Sequence, residues 1–392
     1  MKPKKVLHII PGFGRGISST VRNLVNSIDT KKVIIDVAGF SRYSDDFCNE
    51  INKKEGKVFT LKKIRIRSLN TNIKEYYSIL KNNGEYDVIH IHLIGYKGLY
   101  FSLLSKIYGS KRVILHGHAS DDKNSQLWYN KLKMIGSRII TQLAADELAS
   151  CSRISSEYLF GKSVVNKCKV MHIPNSVNVN KFSLQLPNDK ISDLKNELGI
   201  PHKSLVIGHI GQFIYQKNHI FMVKIIKRMK EYNIPFIWIF IGDGPDQLKI
   251  IELIKKEKCE DVTLFLGRRE NVHEILQVMD VSILPSHFEG LPTVAVEAQA
   301  AGVPSVISST VTDEVDINAG LVKYLSLDAT EDIWINSIIE MSRVEKPDRQ
   351  KVINLMFKRG FTTEAAAKLY ELYIWNKILH HDLGDEIQYE LF

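Results

Sequence analysis

Short apolar runs rich in Val and Ile alternate with amphipathic stretches along the whole chain, the pattern of parallel sheets joined by crossover helices. In the first half, strands are predicted at residues 5–10, 33–40, 57–61, 87–92, 112–116, 148–152 and 170–174. Helical periodicity occupies 18–28, 74–81, 98–107 and 127–143 between them. A polar segment at 175–204, containing Pro187 and Pro201, reads as a linker with a small helix. The pattern then restarts, with strands predicted at 205–211, 236–242, 262–267, 281–285 and 305–308. The expected fold is α/β, with two doubly wound parallel-sheet domains at 1–185 and 200–362 facing a central cleft. A last helix, predicted at 363–380 within the terminal segment 363–392, is long enough to return to the first domain and complete it.

Length and composition agree with that division. The 392 residues exceed one ordinary domain, and a hydrophobic fraction of 44% supplies full cores. No apolar run reaches the roughly 20 residues of a membrane-spanning helix. The short run after Lys2-Pro3-Lys4-Lys5 has neither the length nor the cleavage site of a signal peptide, so a cytoplasmic location is expected. Cys48, Cys151, Cys168 and Cys259 show no metal-ligand spacing and are expected to be unbridged. Charge changes the picture more. Residues 1–180 hold 29 Lys+Arg against 14 Asp+Glu, a net of +15, whereas the remainder holds 24 against 30. A basic first half points to an anionic surface, either membrane or nucleic acid, or else to a solvated face with no partner.

Ligands of open parallel sheets bind beyond the carboxyl ends of the strands, and the informative residues follow strands here. After the strand at 281–285 come Ser286-His287-Phe288-Glu289-Gly290-Leu291-Pro292-Thr293, with Glu297 inside the next helix. Pro292 suits the first turn of that helix, whose N–H groups and partial positive charge make a phosphate site. Two carboxylates, Glu289 and Glu297, can each grip hydroxyls of a bound nucleotide-sugar. Glu289 lies in a turn, where a carboxylate is expected to contribute little to a core. Pro11-Gly12-Phe13-Gly14-Arg15-Gly16 is a glycine loop without Gly-x-Gly-x-x-Gly spacing, and no acidic residue ends the second strand. Dinucleotide binding is therefore disfavoured.

These residues and four further stretches resemble the retaining glycosyltransferases of family 4, in the EpsF-like exopolysaccharide and capsule branch. The stretches are Pro174-Asn175-Ser176-Val177-Asn178, Gly211-Gln212-Phe213 with Lys217-Asn218-His219, Ile241-Gly242-Asp243-Gly244-Pro245, and Phe265-Leu266-Gly267-Arg268. The resemblance is strong over 170–310 and weak before it. It implies the GT-B architecture and transfer of a sugar from a nucleotide-sugar, with UDP as the expected nucleotide. The acceptor implied is a saccharide, carried on a polyprenyl diphosphate. Glu289 would hold donor-sugar hydroxyls and Glu297 the ribose. Gly290 and Leu291 would offer backbone N–H groups, Lys217 would neutralise the diphosphate, and Arg268 with Gly267 would meet the base. Gly16 would let the first-domain loop approach the phosphates. His116, with His118 beside it, would contact the reacting sugar, and Asp121 and Asp122 would face the acceptor or solvent.

One departure is chemical: Gln212 stands where the family carries Arg, and an amide cannot make the charged bidentate fork to phosphate. Arg15 or Arg268 is expected to supply that charge; otherwise the donor binds weakly. Asn178 replaces the usual Asp. No metal or other cofactor is expected, because Lys217 and the helix end take the metal's electrostatic part. The pair His116 and His118 has no Asp-x-Asp beside it. Two other readings stand: a nucleotide-sugar epimerase of GT-B shape, and a nucleic-acid-binding protein using the basic half. The latter would rely on Tyr76, Tyr77, Trp128 and Tyr129 for stacking, a thin set, and no nucleic-acid partner is expected. Peripheral docking on an anionic inner leaflet would use Lys62-Lys63-Ile64-Arg65-Ile66-Arg67 and the helix at 127–143. There Trp128, Leu132, Met134 and Ile135 would enter the interface and Lys131, Lys133 and Arg138 would meet headgroups. The competing reading makes that helix face a buried one.

Overall fold

A computed structural model describes residues 2–13, 16–118, 128–167 and 170–376, apart from the side chains of 66 and 128–131. The chain divides into two compact units, Met1–Val177 with Phe357–Phe392, and Asn178–Met356. Among the described residues, the first is built on seven parallel strands: β1 (Lys4–Ile10), β2 (Val33–Gly39), β3 (Val58–Thr60), β4 (Val88–Ile91), β5 (Val113–Gly117), β6 (Glu147–Ser150) and β7 (Val170–His172). They lie in the order β3-β2-β1-β4-β5-β6-β7, a Rossmann-like winding that reverses between β1 and β4. Alternation along β1 sends Val6 to one core and Leu7 and Ile9 to the other, because successive side chains point to opposite faces. On the first face lie Val21, Leu24 and Val25 of the helix Gly16–Ser27, with Leu369, Tyr370 and Tyr373 of the helix Thr363–Ile374. The other face is closed by Tyr76 and Phe101. Full burial of each such side chain is worth roughly 1.5–3 kcal/mol.

The second unit holds six parallel strands: β8 (Leu205–Ile210), β9 (Phe236–Ile241), β10 (Thr263–Phe265), β11 (Val281–Leu284), β12 (Ser305–Ser308) and β13 (Val322–Leu325). Their order, β10-β9-β8-β11-β12-β13, repeats the first winding. Trp238, Phe240 and Trp334 fill one face; Ile237, Ile239 and Ile241 face the other core. Strand β13 escapes the sequence reading. It is an edge strand, half-exposed throughout and paired only with β12, so Val322-Lys323-Tyr324-Leu325 shows no continuous apolar run.

The polar segment at 175–204 is not a free linker. Most of it belongs to the second unit, where Phe182 and Ile191, Leu194 and Leu198 pack beside the buried Ile200. Its low hydrophobicity reflects a helix, Asn188–Glu197, with only one face on the core. The C-terminal helix is seen from Thr363 to Ile374, and the predicted continuation through 377–380 lies outside the described residues. No helix among the described residues is long and apolar enough to cross a membrane. Cys48, Cys151 and Cys259 form no disulfide among the described residues, and Cys168 lies outside them.

Candidate active site: a buried Lys–Glu pair and a histidine chain

In the second unit the site grows from two strand ends. Strand β8 ends at Ile210, and the chain turns through Gly211 into a short 3-10 turn, Tyr215–Lys217. Gly211 leaves room for the Lys217 stem: a Cβ there would lie 3.1 Å from Lys217 Cε. Gly242, after β9, has φ +133, and a Cβ on it would meet the Gly211 carbonyl oxygen at 2.1 Å, so this turn requires glycine. Lys217 is thereby aimed at the turn after β11. Its Nζ donates to Glu289 Oε1 at 2.6 Å, and Ser286 Oγ donates to the same oxygen at 2.7 Å. Gln216 Nε2 donates to Glu289 Oε2 at 2.9 Å.

The two turns are also joined directly. His287 N–H donates to the Gln216 carbonyl at 2.8 Å, and the His287 ring stacks on Tyr215 with centroids 4.5 Å apart. Behind them, Ser308 Oγ and Thr310 Oγ1 both donate to the Ser286 carbonyl, at 2.6 and 2.7 Å. Glu289 is only 6% exposed, which corrects the expectation that it contributes little to the fold. It is the acceptor at the centre of an ion pair and two further hydrogen bonds. Gln216 and Thr310 were not singled out from the sequence, and Ser286 and His287 stood in the quoted stretch without a role. Gln216 had one available signal, its place beside Lys217 in the turn.

Pro292 sits at the N-cap, one residue before the helix Thr293–Ala300, and not in its first turn. Its φ of −71° with ψ of 108° is extended, and Ala295 N–H is already satisfied by the Pro292 carbonyl. Gly290 and Leu291 are buried in the turn leading to it. Glu297 is half-buried on that helix, and no hydrogen bond reaches its carboxyl group among the described residues. Burial pushes its pKa up to about 7, against a smaller opposing pull from Lys181. Such a carboxyl suits hydroxyl groups, to which it can donate or accept. Gln212 is exposed, and its amide makes no hydrogen bond among the described residues. Arg268 pairs with Asp243 at 2.8 Å and is well exposed, so its charge is already shared. Arg15 lies outside the described residues, as do Asp121 and Asp122.

The first unit carries a second constellation. His116 and His118 lie at the end of β5 with rings stacked at 4.1 Å, beside His8 of β1 and His90 and His92 at the end of β4. The parallel register sets His8 beside His90 and Ile91 beside Leu115, so residues spaced by two fall on one sheet face. Their nitrogens form one chain. His118 Nε2 lies 2.8 Å from His92 Nδ1, and His92 Nε2 lies 3.0 Å from His8 Nδ1. His8 Nε2 is 2.9 Å from the Tyr370 hydroxyl, which is 2.8 Å from His90 Nδ1. His90 Nε2 then meets His116 Nδ1 at 3.0 Å. The chain ends at His116 Nε2, which is buried and has no partner among the described residues.

Burial lowers the pKa of His8 to about 3 and of His118 to about 4, and holds His90, His92 and His116 well below the ordinary value with help from neighbouring rings. Neutral rings each have one N–H and one lone pair, so the chain must run in a single sense from end to end. Two triads, His8-His90-His92 and His92-His116-His118, bring ring nitrogens within 4.8 Å and have the geometry to hold a metal ion. No Asp or Glu joins either triad among the described residues. Only His116 and His118 were singled out from the sequence. The alternation His90-x-His92 repeats that of His116-x-His118 on the adjacent strand and was the missed signal.

Two surface expectations change. Tyr76 is fully buried and shares a 2.7 Å hydrogen bond with Ser105, so it cannot stack on a base. On the helix Trp128–Ala144, Leu132, Ile135, Ile139 and Leu143 are 48–77% exposed, which overturns the buried-face reading for Leu132 and Ile135. Met134 is half-buried, and Arg138 is turned inward, donating to the Tyr158 and Glu157 carbonyls. The side chains of Trp128 and Lys131 lie outside the described residues.

Comparison with known proteins fits this geometry. Residues 190–341 match the family of glycosyl transferases group 1. A Bacillus subtilis protein described as a glycosyltransferase, EpsF, is 31% identical over 92% of this chain and 94% of its own. The Escherichia coli UDP-Gal:alpha-D-GlcNAc-diphosphoundecaprenol alpha-1,3-galactosyltransferase is 27% identical over 76% of this chain and 77% of its own. Among solved structures, Anabaena HepE in complex with UDP-glucose superposes with a TM-score of 0.75, at 16% identity, covering 95% of this chain and all of HepE. Two Rossmann-like units, the strand-end carboxylate and lysine, and a full-length relative above 30% identity agree: the chain belongs to the group 1 glycosyltransferases, with the GT-B fold.

Proposed function

We propose that this glycosyltransferase moves a sugar, with retention at the anomeric carbon, from a UDP-sugar to a saccharide carried on a polyprenyl diphosphate, in the synthesis of a surface polysaccharide. The observation that carries the reading is the Lys217–Glu289 pair, buried at adjoining strand ends directly before the helix Thr293–Ala300. A diphosphate at that helix end meets partial positive charge and the Lys217 ammonium. Glu289, held by Gln216 and Ser286, keeps Lys217 in place and offers carboxylate oxygens to donor-sugar hydroxyls. Glu297 takes the ribose hydroxyls. Support for UDP and for the lipid carrier comes from the E. coli relative, whose name contains both, and from HepE, crystallised with UDP-glucose.

In this reaction the bond between the anomeric carbon and the diphosphate oxygen breaks, and UDP leaves with the electron pair. The acceptor oxygen bonds to that carbon from the same face, and its proton passes to the departing phosphate. Lys217 and the helix end stabilise the charge that develops there, the part a metal ion plays elsewhere, so the reaction needs no metal. The exposed apolar row Leu132, Ile135, Ile139 and Leu143, on a basic half of the chain, suits a peripheral position at an anionic inner leaflet, where a lipid-borne acceptor resides. The test is nucleotide release from a panel of sugar nucleotides, with and without a lipid-diphosphate-linked saccharide, and NMR of the product anomer. Release that requires the acceptor, resists thorough chelation and gives the donor's own anomer is expected. An inverted product, or loss on chelation with recovery on Mn²⁺, would refute retention or metal independence respectively.

A further inference from the structure

A cavity of about 330 Å³ opens in the first unit, beyond the carboxyl ends of β1, β2 and β4, where Phe40 and Leu93 form part of its wall. That volume lies at the small end of ligand sites. Lys63, Arg65 and Lys97 line it, and no carboxylate among the described residues does. None of the three joins an ion pair among the described residues; all three are exposed, and Lys97 Nζ lies 5.8 Å from the Tyr96 ring centroid. Lys97 stands in the first turn of the helix Tyr96–Ile107, whose N-terminal end adds partial positive charge to the same wall. Three cations outside any ion pair of the described residues, with apolar Phe40, Ile64 and Leu93 in the same wall, suit a compact dianion attached to an apolar group.

The surroundings say what that apolar group is. Along the helix Tyr96–Ile107, Tyr96, Leu103 and Ile107 are 68%, 50% and 72% exposed and recur at helical spacing on one face. The helix Trp128–Ala144 packs against it, closely enough for a Cβ on Gly95 to touch Ser137 Oγ at 2.8 Å. That helix adds the exposed Leu132, Ile135, Ile139 and Leu143. We infer that the cavity binds the diphosphate of a polyprenyl-diphosphate-linked molecule, with Lys63, Arg65 and Lys97 on the phosphates and the tail leaving along the apolar face of the helix that bears Lys97. The inference rests on the acceptor class proposed above and gives it a location; pyrophosphate-like anions free in solution share the headgroup chemistry but not the tail.

The experiment measures binding to the full chain at saturating UDP, so that the donor site is already filled. The probes are farnesyl diphosphate and inorganic pyrophosphate. Farnesyl diphosphate should bind more than tenfold tighter than pyrophosphate, and Leu103→Ser with Ile107→Ser should narrow that gap. Lys63→Ala with Arg65→Ala should weaken both probes at least tenfold while UDP affinity and the melting temperature stay at wild type. Farnesyl diphosphate affinity unchanged in the Lys63/Arg65 variant would overturn the site. Equal affinity for the two probes would overturn the lipid assignment and leave a site for a free diphosphate. Sugar transfer is read separately: if no sugar nucleotide supports transfer but diphosphate binding still depends on Lys63 and Arg65, the transfer reading falls and the site stands.

Discussion

A carboxylate that accepts from Lys217, Gln216 and Ser286 while almost wholly buried holds two turns together, and substitution tests whether it also serves turnover. Glu289→Gln keeps the shape but leaves the Lys217 ammonium without its counter-charge at 13% side-chain exposure. Removing one partner of a buried pair costs more than removing both, because the remaining charge stays desolvated. Glu289→Gln should therefore lower turnover by orders of magnitude and destabilise the fold by about 1–3 kcal/mol. Adding Lys217→Met should recover part of the stability and none of the activity; urea unfolding and initial rates of the single and double variants provide the check. Gln212 offers the opposite experiment, since its amide is exposed and unengaged among the described residues. With Arg268 already paired to Asp243, Gln212→Arg should tighten UDP binding, by up to about 1–2 kcal/mol if the guanidinium reaches the phosphates. Calorimetric titration with UDP would reveal it, and weaker binding would mean that another cation already fills that space.

Secondary-structure elements decide what the histidines can do. Strands β1, β4 and β5 bring five imidazoles to one region, but Tyr370, from the helix Thr363–Ile374, joins them into a single chain. In Tyr370→Phe the chain falls into two pieces, His118-His92-His8 and His90-His116, each free to choose its own proton direction. Nitrogen-15 NMR of histidine-labelled protein should show a single tautomer for His116 in the wild type and a mixture in the variant. UDP affinity should stay constant, because Lys217 and Glu289 lie in the other unit. A merely structural role for the hydroxyl would shift stability and leave the His116 tautomer unchanged.

For the whole molecule the same histidines should make stability fall in acid. Their folded pKa values are lowered by burial, so the unfolded chain binds more protons below its ordinary histidine value of about 6.5. Their contribution is complete above that pH and is lost as pH falls toward the folded values, about 4 for His118 and about 3 for His8. Denaturant titrations at pH 7.5 and 5.5 should show a loss of several kcal/mol, on the order of 1.4 kcal/mol per histidine per pH unit. Unchanged stability over that interval would mean that the rings are charged or exposed. The charge asymmetry acts at the same scale. Co-sedimentation with vesicles should require anionic lipid, fade as salt shortens the Debye length below about 8 Å, and drop on Leu132→Ser with Ile139→Ser. Equal binding to neutral vesicles would refute electrostatic docking.

Periodicity alone read twelve of the thirteen strands among the described residues, and the double winding, because most of these strands are covered on both faces and so form apolar runs. It missed β13, whose half-exposed edge needs no such run, and it read the small helix in 175–204 without the packing of that segment on the second unit's core. Local placement likewise marked Glu289 and Glu297, since turns after strands and helix starts have their own residue chemistry, and the family resemblance marked Lys217, His116 and His118. Only the tertiary structure decided what those residues touch. That Lys217 ends on Glu289, that Gln216 and Ser286 complete the group, and that Tyr370 closes a chain begun at His8 all depend on contacts between residues from 3 to 362 positions apart. A sequence pattern records the face on which a side chain lies; the partner it finds there is set by strand order and register, which long-range packing selects.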